Sequence, residues 1–272
     1  MSSIEVMPAR LSHEETEDLK RAIACLEAAT FAQRLTDAVG RPIGAIGRNL
    51  PDVARRTVAR ASENALKVAL NLALRTIDRR RTANASARAH TLAAAASGAI
   101  GGAFGLAALP LELPLSTTIL MRSIAEIARE EGEDLGEPNA ALACVEVFAL
   151  GGGGEEAAYE NGYFAIRAAL AKSVSDSARF LVGAGGASAP AAVRLVTQIA
   201  ARFGVVVSEK AAAQAAPILG ALGGAAVNAA FAAHFQSLAR GHFIVRRLER
   251  RHGGEMVAFE YRRLRGEARA AA

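Results

Sequence analysis

An all-α, multi-helix bundle is the fold this sequence predicts, with Ala/Gly-rich, glycine-zipper helices packed in its core. Three observations carry the prediction. Apolar residues make up 51% of the 272-residue chain, and much of that share is alanine, the residue of highest intrinsic helix propensity. Val-Ile-Thr-aromatic runs with period two, the mark of strands, are nearly absent; the nearest is Val205-Val206-Val207, too short to count. Helix-start and helix-stop signals recur along the chain.

Ser12 followed by Glu15 has the spacing of a capping box, which predicts a first helix running to about Asp37. Gly40, Pro42, Gly44 and Gly47 then break the pattern. A second helix fits 51–77, with Pro51 at its first position. Its polar stripe is Arg56, Arg60, Glu63/Asn64, Lys67, Asn71 and Arg75; its apolar stripe is Val58, Ala61, Ala65, Val68, Ala69 and Leu72. This is an amphipathic helix with a basic face. Asp78-Arg79-Arg80-Arg81 follows it.

Leu92 to Leu111 then runs twenty residues without a charge, in a chain whose charged content is 22%. A membrane span needs roughly 20 apolar residues. This run is mostly Ala and Gly, which contribute little to insertion compared with Leu, Ile, Phe and Val. The content points to small-residue helices packed within a bundle, or to a hairpin broken at Pro110 and Pro114 that dips into a bilayer without crossing it. Gly98/Gly102 and Gly101/Gly105 have the four-residue spacing of close helix contacts, and Gly220/Gly224 repeats it.

Pro110 and Pro114 bracket a break, and a helix fits from Ser116 to about Glu131, closed by Gly132. Arg122, Glu126 and Arg129 share one stripe, Leu120, Ile124 and Ile127 another. Glu137-Pro138 starts a short helix bearing Cys144, Val147 and Phe148. Gly151–Gly154 is a flexible joint or a close backbone approach, and the one candidate internal boundary. Helices follow across 155–181, 190–207, 208–235 and 236–251, with Ser208-Glu209-Lys210 as a helix start and Gly241 as an interruption. The stretch 253–272 is basic and frayed.

Charge is segregated. Residues 31–90 carry 12 basic and 4 acidic side chains, 111–160 carry 2 and 11, and 240–272 carry 9 and 4. Aromatics are 5% with no Trp, so a basic patch interleaved with aromatics, as nucleic acid favours, is missing and no nucleic-acid partner is expected. Anionic lipid headgroups, or the acidic middle segment itself, suit the basic segments better. Cys25 and Cys144 lie far apart in helix-like patterns and read as buried structural thiols. The N-terminus lacks a basic region followed by an apolar core, so no secretory signal is expected and a bacterial-style cytoplasmic location follows.

No catalytic motif is present: there is no P-loop, HExxH, GxSxG or strand-borne GxGxxG. His234, His242 and Glu249 fall along one side of a helix, but the two histidines would stand more than about 10 Å apart, too far to share one metal ion. No metal and no cofactor are expected. Glu112 and Arg122 could make a buried ion pair. Asn228, within an Ala-Gly run, suggests a hydrogen bond between helices.

The stretch LPLELPLSTTILMRSIAEIAREEGEDL (109–135) resembles the signature segment of the EcsC family: Glu112, Pro110 and Pro114, then Thr117 and Thr118, then Arg122, Ile124, Ile127 and Ala128, and Gly132 at the end. A second segment, 223–253, is also similar, with Asn228, Phe231, His242, Phe243, Arg246, Leu248 and Glu249. The resemblance covers about residues 50–262, and the N-terminal part has no counterpart in it. It implies a helical, bacterial, membrane-associated protein, named for a member of an ABC-transporter operon, with no assigned activity and so no catalytic residues to carry over. Three units follow: an N-terminal helical extension (1–48), an EcsC-like helical domain (49–262) and a flexible tail (263–272).

The expectation is a non-enzymatic accessory or regulatory protein, cytoplasmic and peripheral to the inner membrane. Arg55, Arg56, Arg60, Arg79, Arg80 and Arg81 would touch anionic lipid, and a transporter or other protein would be a partner. The structural positions to watch are Glu112, Pro114, Thr117, Thr118, Arg122, Glu126, Asn228, His242 and Arg246. One alternative is a soluble helical module enclosing an apolar, lipid-like ligand. A more remote one is a hydrolase using Glu112 with His234 or His242.

Overall fold

The computed structural model of the chain describes residues 11–39, 42–78, 108–152, 162–181, 189–214 and 220–270. Among these residues there are ten helices and no strand: α1 (His13–Leu26), α2 (Phe31–Val39), α3 (Ile43–Arg48), α4 (Asp52–Asp78), α5 (Leu109–Glu130), α6 (Pro138–Leu150), α7 (Gly162–Leu181), α8 (Ala189–Gln214), α9 (Gly220–His252) and α10 (Gly254–Ala270). The all-α bundle expected from composition is therefore the observed fold. Of the glycine-zipper positions, Gly98, Gly101, Gly102 and Gly105 lie outside the described residues, Gly220 opens α9 and Gly224 is buried in it.

Helix α6 forms the centre, and every residue from Ala140 to Leu150 is buried. It packs against α4, α5, α7, α8 and α9. This explains its sequence: a helix apolar on all sides is a core helix. Around it, α4 packs on α5 and α8, α7 on α8, and α9 on α1 and α5. Phe148, Phe203, Phe231, Phe235 and Phe31 interlock in a continuous aromatic seam whose ring centroids lie 5.0–6.0 Å apart. Such edge-on pairs add to the free energy of area burial.

The capping box at Ser12 and Glu15 is present, with both reciprocal hydrogen bonds formed. The first helix ends at Leu26, however, and α2 begins at Phe31 after a Thr30 side chain that accepts from Gln33 N–H, so the expected single helix to Asp37 is two. The second expected helix is observed as α4, its basic stripe of Arg56, Arg60 and Lys67 exposed and its Val58, Ala61, Ala65 and Ala69 buried.

Other boundaries differ more. Pro110 and Pro114 do not break the chain, because α5 begins at Leu109 and runs through both. Proline in a first turn removes no helical hydrogen bond. Pro114 does leave the Pro110 carbonyl without its donor, but Pro110 is exposed and that carbonyl can meet water. Ser208-Glu209-Lys210 is not a helix start; it lies inside α8, and Ser208 Oγ donates back to Gly204 O at 2.8 Å. Helix α8 ends at Gln214, and α9 then runs from Gly220 to His252 without the interruption expected at Gly241, which sits in helical conformation.

Gly241 is there for closeness: a Cβ on it would lie 2.6 Å from Leu26 Cγ and 2.9 Å from the Ala22 carbonyl. Gly152 likewise lets the chain after α6 lie against the Arg202 carbonyl. The buried core runs continuously from α6 to α7 and α8, so Gly151-Gly152 is a close approach and not a domain boundary. The stretch expected to be frayed is helical over its described residues from Gly254 on. Helix α10 reaches Ala270, Leu264 and Arg265 are buried, and Arg265 Nε donates to Glu27 at 2.7 Å, so the tail expected at 263–272 is helical nearly throughout.

Candidate functional site: two polar junctions between α5 and α9

The two segments that resemble the EcsC signatures are α5 with its following turn, and α9. Three polar contacts tie them at successive levels: Asn228 to Glu112 at 2.8 Å, Gln236 to Ser123 at 3.0 Å, and Arg246 to Glu133 at 2.7 Å. Numbers rise together on both helices, so they run parallel. The outer two contacts are the centres of two buried polar junctions.

At the first junction Glu112 and Lys210 form an ion pair of 2.6 Å whose side chains are 3% and 0% exposed. Asn228 Nδ2 donates to the same carboxylate oxygen, and Gln214 Nε2 reaches the other at 3.4 Å. The Lys210 ammonium also stands 4.6 Å from the centre of the Phe231 ring, an attractive geometry for a desolvated cation. Burial pushes the lysine below its usual pKa range, and the adjacent carboxylate opposes that shift. Three helices, α5, α8 and α9, are thus joined by one carboxylate. The buried Thr117 hydroxyl and Asn228 Oδ1 have no partner among the described residues.

The second junction is larger. Gly132, at φ 77°, turns the chain after α5 in the left-handed conformation and brings Glu133 under α9. Glu133 accepts from Arg246 Nε and Nη2 (2.7 and 3.2 Å) and pairs with Arg250, whose other nitrogen donates to the Glu131 carbonyl at 2.6 Å. Beside it, Arg167 of α7 makes a two-pronged pair with Glu249 at 2.7 and 2.9 Å. Arg167 also donates to the Tyr163 hydroxyl at 3.3 Å, and that hydroxyl lies 3.0 Å from His242 Nδ1. A guanidinium only donates, so the tyrosine oxygen accepts from it, and the same hydroxyl shares a second hydrogen bond with Nδ1. Burial and the two nearby arginines hold His242 well below the usual histidine range. Burial raises the Glu146 carboxyl in the same region, and pushes the Cys144 thiol up to about 12, which leaves it unreactive.

The positions singled out in the sequence fall as follows. Glu112 and Asn228 meet at the first junction; His242 and Arg246 belong to the second. Arg122 is exposed and does not pair with Glu112, whose partner is Lys210; the lysine reaches it from α8, a contact that no local spacing could show. Thr117 is buried, Thr118 donates to the Pro114 carbonyl at 2.8 Å, and Glu126 is half-buried. Arg55, Arg56 and Arg60 are exposed, Arg55 paired with Asp52, while Arg79, Arg80 and Arg81 lie outside the described residues. Cys144 is buried and Cys25 half-buried, both as free thiols.

Lys210, Gln214, Glu133, Glu146, Tyr163 and Arg167 were not picked out from the sequence. A lone lysine bordering a long uncharged run was the signal available for Lys210. The others are scattered through ordinary amphipathic patterns. Asn228 and His242 are separated by fourteen residues of one helix, about 21 Å of rise, so Glu112 and His242 do not share a site. His234 belongs to neither junction; it packs against Phe31 and Phe235 beside Gly151.

The chain matches the EcsC protein family over residues 13–248. It belongs to that family. No curated protein and no solved structure matches the chain. The EcsC match takes in α1, α2 and α3, which the sequence reading set apart, and it ends within α9, leaving α10 outside. Both polar junctions fall within the EcsC match, apart from Glu249 and Arg250 at its border.

Proposed function

We propose that this EcsC-family chain is a non-enzymatic accessory or regulatory protein, peripheral to the inner membrane on its cytoplasmic side and attracted there by anionic lipid. The observation that carries the reading is the exposed face of α4. Arg56 and Arg60 project from it with no ion-pair partner among the described residues, Arg55 and Lys67 flank them, and Val53 stands at the head of the same stripe. A basic residue near an anionic surface contributes about 1 kcal/mol. Arg79, Arg80 and Arg81 extend the same charge in sequence. An ABC-transporter component as protein partner is part of the proposal and rests on the family resemblance alone.

Vesicle co-sedimentation tests it. The protein should pellet with phosphatidylcholine vesicles containing phosphatidylglycerol, and high salt should weaken that binding. Changing Arg55, Arg56, Arg60, Arg79, Arg80 and Arg81 to Gln should sharply weaken pelleting at low salt. If that variant pellets as the parent does, or the parent never pellets, the reading fails; a lipid co-purifying with a non-pelleting protein would favour an enclosed apolar ligand instead.

A further inference from the structure

Two long runs of the sequence carry no Asp, Glu, Lys or Arg: 92–111 and 211–239. Glu112 is the first charge after one run, and Lys210 is the last before the other. The structure pairs these two charges with each other, sealed from solvent at the first junction. The end of the bundle where α8 finishes and α5 and α9 begin therefore presents no net charge from this pair.

Among the described residues at that end, two leucines face outward. Leu111 and Leu115, one turn apart on α5, are 83% and 54% exposed, and Leu111 is the most exposed large hydrophobic side chain among the described residues. Pro110 beside them is exposed too. An ionisable group next to lipid is tolerated when a counter-charge neutralises it. Leucine is among the side chains most favoured in hydrocarbon.

We propose that Leu111 and Leu115 form a wedge that enters the acyl region of a bilayer, with the Glu112–Lys210 pair as its neutral base. This rests on the membrane reading above and assigns the contact to a different part of the surface from the basic stripe of α4. The stripe supplies salt-sensitive attraction, and the wedge supplies contact that salt does not screen.

The chain contains no Trp, so Leu111→Trp in the full-length protein is a single reporter at an exposed position. Phosphatidylcholine/phosphatidylglycerol vesicles should shift its emission to the blue, and lipids brominated on their acyl chains should quench it. In parallel, Leu111→Glu with Leu115→Glu should weaken vesicle binding at high salt by roughly tenfold or more, while Arg56→Gln with Arg60→Gln should weaken it chiefly at low salt. Protein that pellets with vesicles but shows neither blue shift nor quenching overturns the wedge and leaves the docking proposal standing. Protein that does not pellet under any condition overturns both.

Discussion

Lys210 reaches Glu112 across 98 residues of sequence and closes to 2.6 Å in a setting from which water is excluded. The pair holds α8 to α5, and Asn228 adds α9 to the same carboxylate. Removing one partner leaves the other as an uncompensated buried charge, which typically costs about 3–5 kcal/mol, whereas replacing both with apolar residues is often close to neutral. Lys210→Met should therefore destabilise the protein by about that amount in urea unfolding. The double variant Lys210→Met, Glu112→Leu should recover most of the loss. Additive effects of the two substitutions would show that the pair does not act as a unit.

Glu209, next to Lys210 but turned about 100° round α8 from it, faces α2 and α3. Burial raises its carboxyl from 4.5 to about 7, although the Ala32 N–H and Arg48 favour the charged form. A carboxyl whose folded value is raised contributes stability that is complete below about 4.5 and is lost as pH rises through about 7. Glu209→Gln should flatten this part of the pH–stability curve and stabilise the protein above pH 7 by on the order of 2 kcal/mol. Chemical denaturation from pH 4 to pH 8 decides it, and parallel curves for the two proteins would refute it.

His234 works in the other direction. Burial, with the Arg34 charge, lowers it from 6.5 to about 3. Its contribution is complete above about 6.5 and is lost as pH falls through about 3. His234→Leu should make the protein relatively more stable at pH 4 than at pH 8 when each is compared with the parent at the same pH. Thermal melts at both values provide the measurement, and an equal effect at both pH values would count against the assignment.

At Gly241 an added methyl group would collide with the backbone carbonyl of Ala22 as well as with Leu26. Gly241→Ala should cost about 1–3 kcal/mol, the usual range for overpacking a closed interface, and should increase hydrogen exchange in α1 before other helices. Gly266→Ala, where nothing lies within 4 Å, is the control and should cost nothing. Equal stabilities for the two variants would mean that α1 adjusts freely.

The helical class was legible because alanine content and helix period both survive without tertiary context. The face of α4 was legible for the same reason: its stripes of Arg56, Arg60 and Lys67 against Val58, Ala61 and Ala65 follow from 3.6-residue spacing alone. Local signals misled where distant parts of the chain decide. Gly241 looked like a breaker because propensity weighs against glycine, but the approach of α1 selects it. Pro110 and Pro114 looked like a break, but Pro110 sits in the first turn of α5, and the carbonyl that Pro114 leaves without a donor belongs to the exposed Pro110. Arg122 looked like the partner of Glu112 because it is near in sequence, whereas Lys210 is near in space. Tyr163 and Arg167 carry no local mark of their link to His242 and Glu249, 79 and 82 residues away.

The clasp between α1 and α9 bears on how the protein is made. Asp18 pairs with Arg247, 229 residues later, and Glu15 meets His252, 237 residues later. At about 5–20 residues per second of synthesis, the first helix emerges roughly ten to forty-five seconds before the strip of α9 it will cover. During that interval the apolar side of α1, with Leu19 and Ala22, lacks α9, the helix it packs on most extensively among the described residues. Folding of this bundle therefore finishes with its beginning: α1 is an early-made, late-docked element, and nascent chains that have not yet released α9 from the ribosome should leave it open to proteases and to chaperones.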